Sequence, residues 1–436
     1  MTASPVSSVL GAWRGRRAVP SAAPRLPPAV VALGLATVTW SILMARQAPC
    51  LANPGLQYSA GCYSDITALW GWRGIEQAQI PYLQADLEYP VLTGLFIYVT
   101  RIISGVFPGD RMLAFFGVSA VALFLCFLGL VIVHVGMPRS EIGPVRDRGW
   151  VGWASLDRAA PESRDLRWAA LFLAASPLVA LAGLINWDLL PMVLTSAAIW
   201  AWGRRRPGWA GVFLGLGTAA KLYPALLLAP LAFLCLRERR WRDGALAAAG
   251  AAGSWLLVNL PIMVATPQGW AHFWTFNADR GADLGSIWLV LDGLGWTVPH
   301  LSLVMASLLV LATVALAIAY LRAPVTPTLA QGAFLIVVAF CLVNKVYSPQ
   351  YMLWLLPLAV LARPKVVDWV VFSAGELIYW GAVWSYLAGN LYAGDGEPRG
   401  YWVAIIVRMG TQIWFVTRVV RDIVTAKAVE GRRWLA

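Results

Sequence analysis

The 436-residue chain is 59% hydrophobic and only 13% charged, where a soluble domain is about half apolar and about a quarter charged. The apolar residues gather in runs long enough to cross about 30 Å of hydrocarbon, which excludes a string of soluble domains. The net charge of +12 comes mostly from Arg, with four Lys, and these cations cluster at the ends of the runs, so they mark the cytoplasmic side of a membrane protein and not a nucleic-acid surface.

Residues 1–27 are rich in Pro, Ser and Arg and read as a disordered basic cytoplasmic tail. Apolar runs follow at about 28–45, 90–106, 112–135, 168–185, 189–203, 209–220, 222–236, 244–264, 300–321, 329–343, 346–362, 366–388 and 401–420. The tail 425–436 is basic again. Two cytoplasmic ends require an even number of crossings. The run 90–106, which carries Thr93, Thr100 and Arg101, is therefore expected only to dip into the bilayer. The Arg-rich loop 138–167 and the clusters at 204–206, 237–243 and 363–365 then fall inside. The result is an all-α polytopic bundle of about 12 transmembrane helices in one membrane domain, 28–424.

This topology leaves five stretches together on the outer face: loop 46–89, Asn186-Trp187-Asp188, the turn at Lys221, loop 265–299 and Asn344 to Tyr351. In the first, Ser64 is suited to cap a helix that Asp65 begins and that runs to about Gln79. Ile66, Leu69, Trp70 and Ile75 form one apolar stripe, as for a helix lying on the membrane surface. Asp65, kept ionised by the helix dipole, is suited to take a proton from a substrate hydroxyl; the plainer alternative is a capping residue. Asp188 stands before a membrane helix, as a cap or as a ligand for a substrate hydroxyl. Lys221 and Lys345 interrupt apolar sequence, where an ammonium is costly and usually functional, unless it snorkels to the interface. In loop 265–299, His272, Arg280 and Ser286 accompany Asp279 and Asp283. Arg280 and Lys345 together have the chemistry to hold a phosphate.

Two other patterns point nowhere further. The sequence from Gly215 through Gly217 to Lys221 faintly suggests a phosphate loop but lacks its ending and a preceding strand. Gly211 and Gly215 instead read as small residues that let two helices approach closely. Cys126, Cys235 and Cys341 lie in apolar runs; Cys50 and Cys62 flank one polar loop, where they are either free or paired, depending on the compartment. No metal-binding spacing occurs.

Tyr63-Ser64-Asp65-Ile66, followed by Arg73-Gly74, Ile80-Pro81-Tyr82 and Glu88-Tyr89-Pro90-Val91-Leu92, resembles the first outer loop of the GT-C glycosyltransferases, and of glycosyltransferase family 87 in particular. Ser176-Pro177, Asn186-Trp187-Asp188, Lys221-Leu222-Tyr223-Pro224, Gly269-Trp270 through Arg280 and Ser286, and Asn344-Lys345 through Ser348-Pro349-Gln350-Tyr351 with Trp354 continue the likeness in order. It covers about residues 60 to 365, and the eukaryotic first GPI mannosyltransferase is more distantly similar. The resemblance implies a polyprenyl-phosphate-mannose donor, a lipid or glycan acceptor, and an inverting α-mannosyl transfer on the outer face of the cell membrane. Asp65 would be the general base, with Arg280, Lys345 and Lys221 at the donor phosphate. Tyr63, Arg73, Tyr82, Glu88, Tyr89, Asn186, Asp188, Tyr223, His272, Ser286, Gln350 and Tyr351 would line the substrate site. The GPI enzyme carries a second carboxylate two residues after the first, where this chain has Thr67, so no metal ion is expected to be required. The main competing class is a transporter of a lipid-linked or anionic substrate, which would place its charges near the bilayer midplane and show repeated halves; no internal repeat is visible. A non-catalytic membrane scaffold would need no cleft at Asp65, Lys221 and Lys345.

Overall fold

The computed structural model describes residues 27–143, 170–394 and 396–426. The expected basic tails and most of the Arg-rich loop 138–167 lie outside these residues. Helices dominate what is described. In chain order they are α1 (Pro28–Ala52), α2 (Asp65–Ala68), α3 (Val91–Ser104), α4 (Arg111–Val135), α5 (Pro177–Ala182), α6 (Leu189–Gly203), α7 (Pro207–Ala220) and α8 (Leu228–Glu238). They continue as α9 (Trp241–Ala265), α10 (Pro267–Asp279), α11 (Ile287–Gly293), α12 (Leu301–Arg322), α13 (Leu329–Val343), α14 (Met352–Ala362), α15 (Val366–Leu387) and α16 (Arg399–Val424).

Local chemistry sets many of these limits. Proline begins α1, α5, α7 and α10, where its missing N–H costs nothing. Asp110 caps α4, and Thr328 with Gln331 forms a reciprocal capping box on α13. Pro224 and Pro349 break two apolar runs into short 3-10 turns, Tyr223–Leu227 and Pro349–Tyr351. Loop 265–299 is not open chain: it folds as α10 and α11.

Among the described residues, α1, α4, α9, α12, α15 and α16 are long and apolar enough to cross a membrane, and five shorter apolar helices accompany them. The protein is therefore a multi-pass membrane protein. Its outer surface agrees, since Leu257, Val264 and Leu303 are each at least 68% exposed, as lipid-facing side chains are and water-facing ones seldom are. The run 90–106 is the 14-residue α3, shorter than the roughly 20 residues that span a bilayer. At the centre stands α14, every residue of it buried. Gly211 and Gly215 press α7 against α9: a Cβ would meet the carbonyl oxygen of Ala247 at 2.0 Å, and Ser254 Oγ at 2.1 Å.

Two expectations fail here. The helix predicted from Asp65 to Gln79 ends at Ala68, and turns replace the rest. The cause is tertiary. Ile66, Leu69 and Ile75 are buried in the protein core and do not lie on a membrane surface. Asp188 occupies the N-cap position of α6 but its side chain caps nothing, because a stronger partner claims it.

Candidate active site

The chemically distinctive residues meet at one end of the bundle, where α6 begins, α7 ends and α14 begins. Asp65 is fixed first through its backbone: its N–H donates to Ile185 O at 2.6 Å, and Ser64 Oγ donates to Leu184 O at 2.5 Å while accepting from Ile66 N–H at 3.2 Å. Asp65 as a residue is half-buried, and its carboxylate accepts from the Tyr63 hydroxyl at 2.8 Å and the Tyr89 hydroxyl at 2.5 Å. Enclosure pushes its pKa up, while the two tyrosines and Lys221 pull down and Asp188 pushes up. A four-residue helix supplies little dipole, so the expected helix-dipole stabilisation gives way to these hydrogen bonds. Burial and the neighbouring Asp65 charge in turn raise both tyrosines, so they remain neutral donors.

Behind Asp65 lies a second charged pair. Lys221 Nζ is 3.0 Å from Asp188 Oδ1, and Trp354 Nε1 donates to Asp188 Oδ2 at 2.9 Å. The ammonium sits 4.7 Å from the centre of the Tyr89 ring and 5.6 Å from that of Trp354. Lys221 is not snorkelling to the interface: it pairs with Asp188 beside the general-base candidate. Asn186 accepts from Asp188 N–H at 3.0 Å and shapes the turn. Trp354 is stacked by Tyr223 at 4.8 Å and Tyr351 at 3.6 Å.

Tyr82 supports the Asp65 partner: its hydroxyl donates to Tyr89 O at 2.8 Å, and its own carbonyl accepts from Thr266 at 3.1 Å. Arg73 pairs with Glu88 at 2.7 Å. Beside Tyr89 is a small crevice, with a volume of about 10 Å³, lined by Trp255, Trp270, Phe273 and Trp274, with Asn259 among its walls.

Arg280 and Lys345 are the other two phosphate candidates. Lys345 is enclosed, and its Nζ donates to Ala278 O at 2.9 Å and Ser302 Oγ at 3.0 Å. Its pKa is lowered by burial and then by the nearby Arg280 charge. Arg280 pairs with Asp283. Tyr351 stacks on Trp354, the indole that donates to Asp188. Gln350 sits half-buried in the turn before Tyr351. Ser286 is a structural cap: its Oγ accepts from Leu289 N–H at 3.2 Å and donates to Asp283 O at 2.8 Å. His272 packs on Phe276 with its Nε2 buried and unpaired, and no contact joins it to Asp65.

Cys50 and Cys62 form a disulfide that closes the chain just before Tyr63. No group of three or more His, Cys, Asp or Glu able to hold a metal occurs among the described residues. Missed entirely by sequence reasoning was a buried pair on the last two helices, Glu376 and Arg408. Their signal was a charge inside an apolar run, the same signal that singled out Lys221.

The sequence profile of glycosyltransferase family 87 matches residues 88–344. No curated protein matches the chain significantly. Among solved structures, the crystal structure of ArnT from Cupriavidus metallidurans in the apo state is similar at 13% identity and a TM-score of 0.43, covering 91% of this chain and 77% of that one.

Proposed function

The chain belongs to glycosyltransferase family 87, a membrane glycosyltransferase of GT-C type using a lipid-linked donor, and on that premise we propose that Asp65 is the general base of an inverting sugar transfer. The donor is a polyprenyl phosphate sugar, β-mannosyl by the resemblance of its loops, and the acceptor is a hydroxyl of a lipid or glycan. An acceptor O–H gives its proton to Asp65. The oxygen attacks the anomeric carbon from the face opposite the phosphate, and the bond from that carbon to the phosphate oxygen breaks. The products are an α-mannoside and polyprenyl phosphate, whose charge Arg280 and Lys345 stabilise.

The observation that carries this reading is the Asp65 carboxylate itself. It is held in place by two tyrosine hydroxyls and raised in basicity by enclosure, on a residue that is half-buried. A general base works best with a pKa moved toward the working pH. Lys221 and Asp188 pair nearby and act on the carboxylate in opposite senses, the lysine the more strongly. The Cys50–Cys62 disulfide supports an extracytoplasmic site, because such bonds persist in oxidising compartments. The Arg clusters at 204–206 and 237–242 support a cytoplasmic location for the other ends of these helices.

The test is incubation of the purified chain with radiolabelled polyprenyl-phosphate-mannose and a panel of lipid and glycan acceptors. A labelled product that α-mannosidase removes is expected. Transfer from a different polyprenyl phosphate sugar would correct the sugar, and no transfer from any such donor would refute the reading.

A further inference from the structure

Helices α15 and α16 lie beyond the segment that matches the family profile, residues 88–344, yet they carry the most completely buried ion pair of the chain's described residues. Glu376 and Arg408 are each 0% exposed, and Arg408 Nε lies 2.9 Å from Glu376 Oε2. Two charges within membrane-spanning helices are costly. Apolar side chains would join the same helices as well or better, so holding α15 to α16 does not account for them.

Their other contacts do. Arg408 donates from its Nη1 to Tyr347 O at 2.8 Å, and its guanidinium lies 3.5 Å from the centre of the Tyr347 ring and 4.1 Å from that of Tyr379. Gln412 Nε2 donates to the Tyr347 hydroxyl at 2.6 Å and also to Glu376. Tyr347 belongs to the broken, non-helical stretch after α13, where backbone carbonyls have no helical partner. Buried backbone carbonyls must find a partner within the protein. Tyr347 N–H then donates to Leu284 O at 2.8 Å, and Asp283 N–H donates to Lys345 O at 2.9 Å. The Tyr401 hydroxyl accepts from Gly285 N–H at 2.9 Å. Gly285 has φ +75°, and a Cβ there would lie 2.1 Å from Tyr347 O, so only glycine fits. Two loops, one ending the segment with Arg280 and the other carrying Lys345, are thus laced together and bolted to α15 and α16 through Tyr347, with a second tie from Gly285 to Tyr401.

We propose that Glu376, Arg408 and Gln412 are positioning residues for the lipid-phosphate donor: by anchoring Tyr347 they fix where Lys345 and Arg280 present their charge. This rests on the reading that those two cations hold the donor phosphate. Arg408 is not itself a phosphate ligand, since its charge is matched by Glu376 and enclosed.

The test uses the full chain in lipid nanodiscs. Measured are the Kd for polyprenyl phosphate alone, KM and kcat with polyprenyl-phosphate-mannose, Tm, and hydrogen exchange of residues 344–351. The double variant Arg408→Met with Glu376→Met keeps the core neutral, Gln412→Leu loosens only the Tyr347 hydroxyl and one carboxylate contact, and Lys345→Met is the reference. Both latch variants are expected to raise Kd and KM about tenfold, the scale of one displaced charge-assisted contact, with kcat changed far less and faster exchange at 344–351. If the double variant does not fold, Gln412→Leu decides by the same readouts. A folded latch variant that binds polyprenyl phosphate as the wild type does, while Lys345→Met has lost binding, overturns the proposal. Unchanged binding in Lys345→Met instead overturns the phosphate reading beneath it.

Discussion

Replacing Asp65 with Asn separates the chemistry of the carboxylate from its packing. The amide keeps the volume and can still pair with the Tyr63 and Tyr89 hydroxyls, which now approach at 2.8 and 2.5 Å, because a hydroxyl can turn to accept as well as donate. What disappears is the base. Positioned general-base catalysis is worth about 10²–10⁴-fold, or about 2.7–5.4 kcal/mol of barrier, so single-turnover transfer should fall by that factor. Stability should move the other way. Asp65 is raised in the fold, chiefly by burial, so its favourable contribution is complete only below the unfolded carboxylate pKa and is lost as pH rises through the folded one. At neutral pH the ionised group is a cost that Asn removes, as expected where a site trades stability for activity. The Tm of Asp65→Asn should equal or exceed that of the wild type at pH 7.5, and the advantage should shrink as pH falls and vanish only below the unfolded carboxylate pKa of about 3.9. Radiolabelled transfer in nanodiscs and intrinsic tryptophan fluorimetry measure the two quantities on one preparation. Wild-type turnover would remove Asp65 from the role, and a Tm lowered at neutral pH but not in acid would refute the burial argument.

The wild-type pH profile of kcat/KM should show an acid limb above the ordinary aspartate range, because the active base form is lost as pH falls through the raised pKa. In Tyr89→Phe the carboxylate loses a donor worth about 1.5 kcal/mol, so that limb should move up by about one pH unit; an unmoved limb would mean that it reports another group. Lys221→Met leaves the 2% exposed Asp188 side chain without its cation and should cost about 3–5 kcal/mol, seen as a lower Tm, with Lys221→Met combined with Asp188→Leu recovering most of it. Replacing Cys50 and Cys62 by Ser opens a link of sequence separation 12, which the chain-entropy account values at about 3 kcal/mol; transfer should fall with Tm, since Asp65 lies three residues beyond Cys62.

The alternation of apolar runs with short polar stretches was enough to establish a polytopic helical protein, and parity with basic run ends collected Asp65, Asn186, Asp188, Lys221 and Lys345 near one end of it. Membrane insertion is a nearly local property: each span must bury its own backbone and its own apolar surface, so it is written in consecutive residues. Pairing is not. That Lys221 pairs with Asp188, that Tyr63 and Tyr89 hold the Asp65 carboxylate, and that the stripe Ile66, Leu69 and Ile75 enters the core follow from contacts between segments far apart in the chain. A periodic stripe reports an apolar face without saying what covers it. Glu376 and Arg408 passed unnoticed for the same reason: each alone is a costly charge in an apolar run, and only the packing of the last two helices makes them a pair directed at Tyr347.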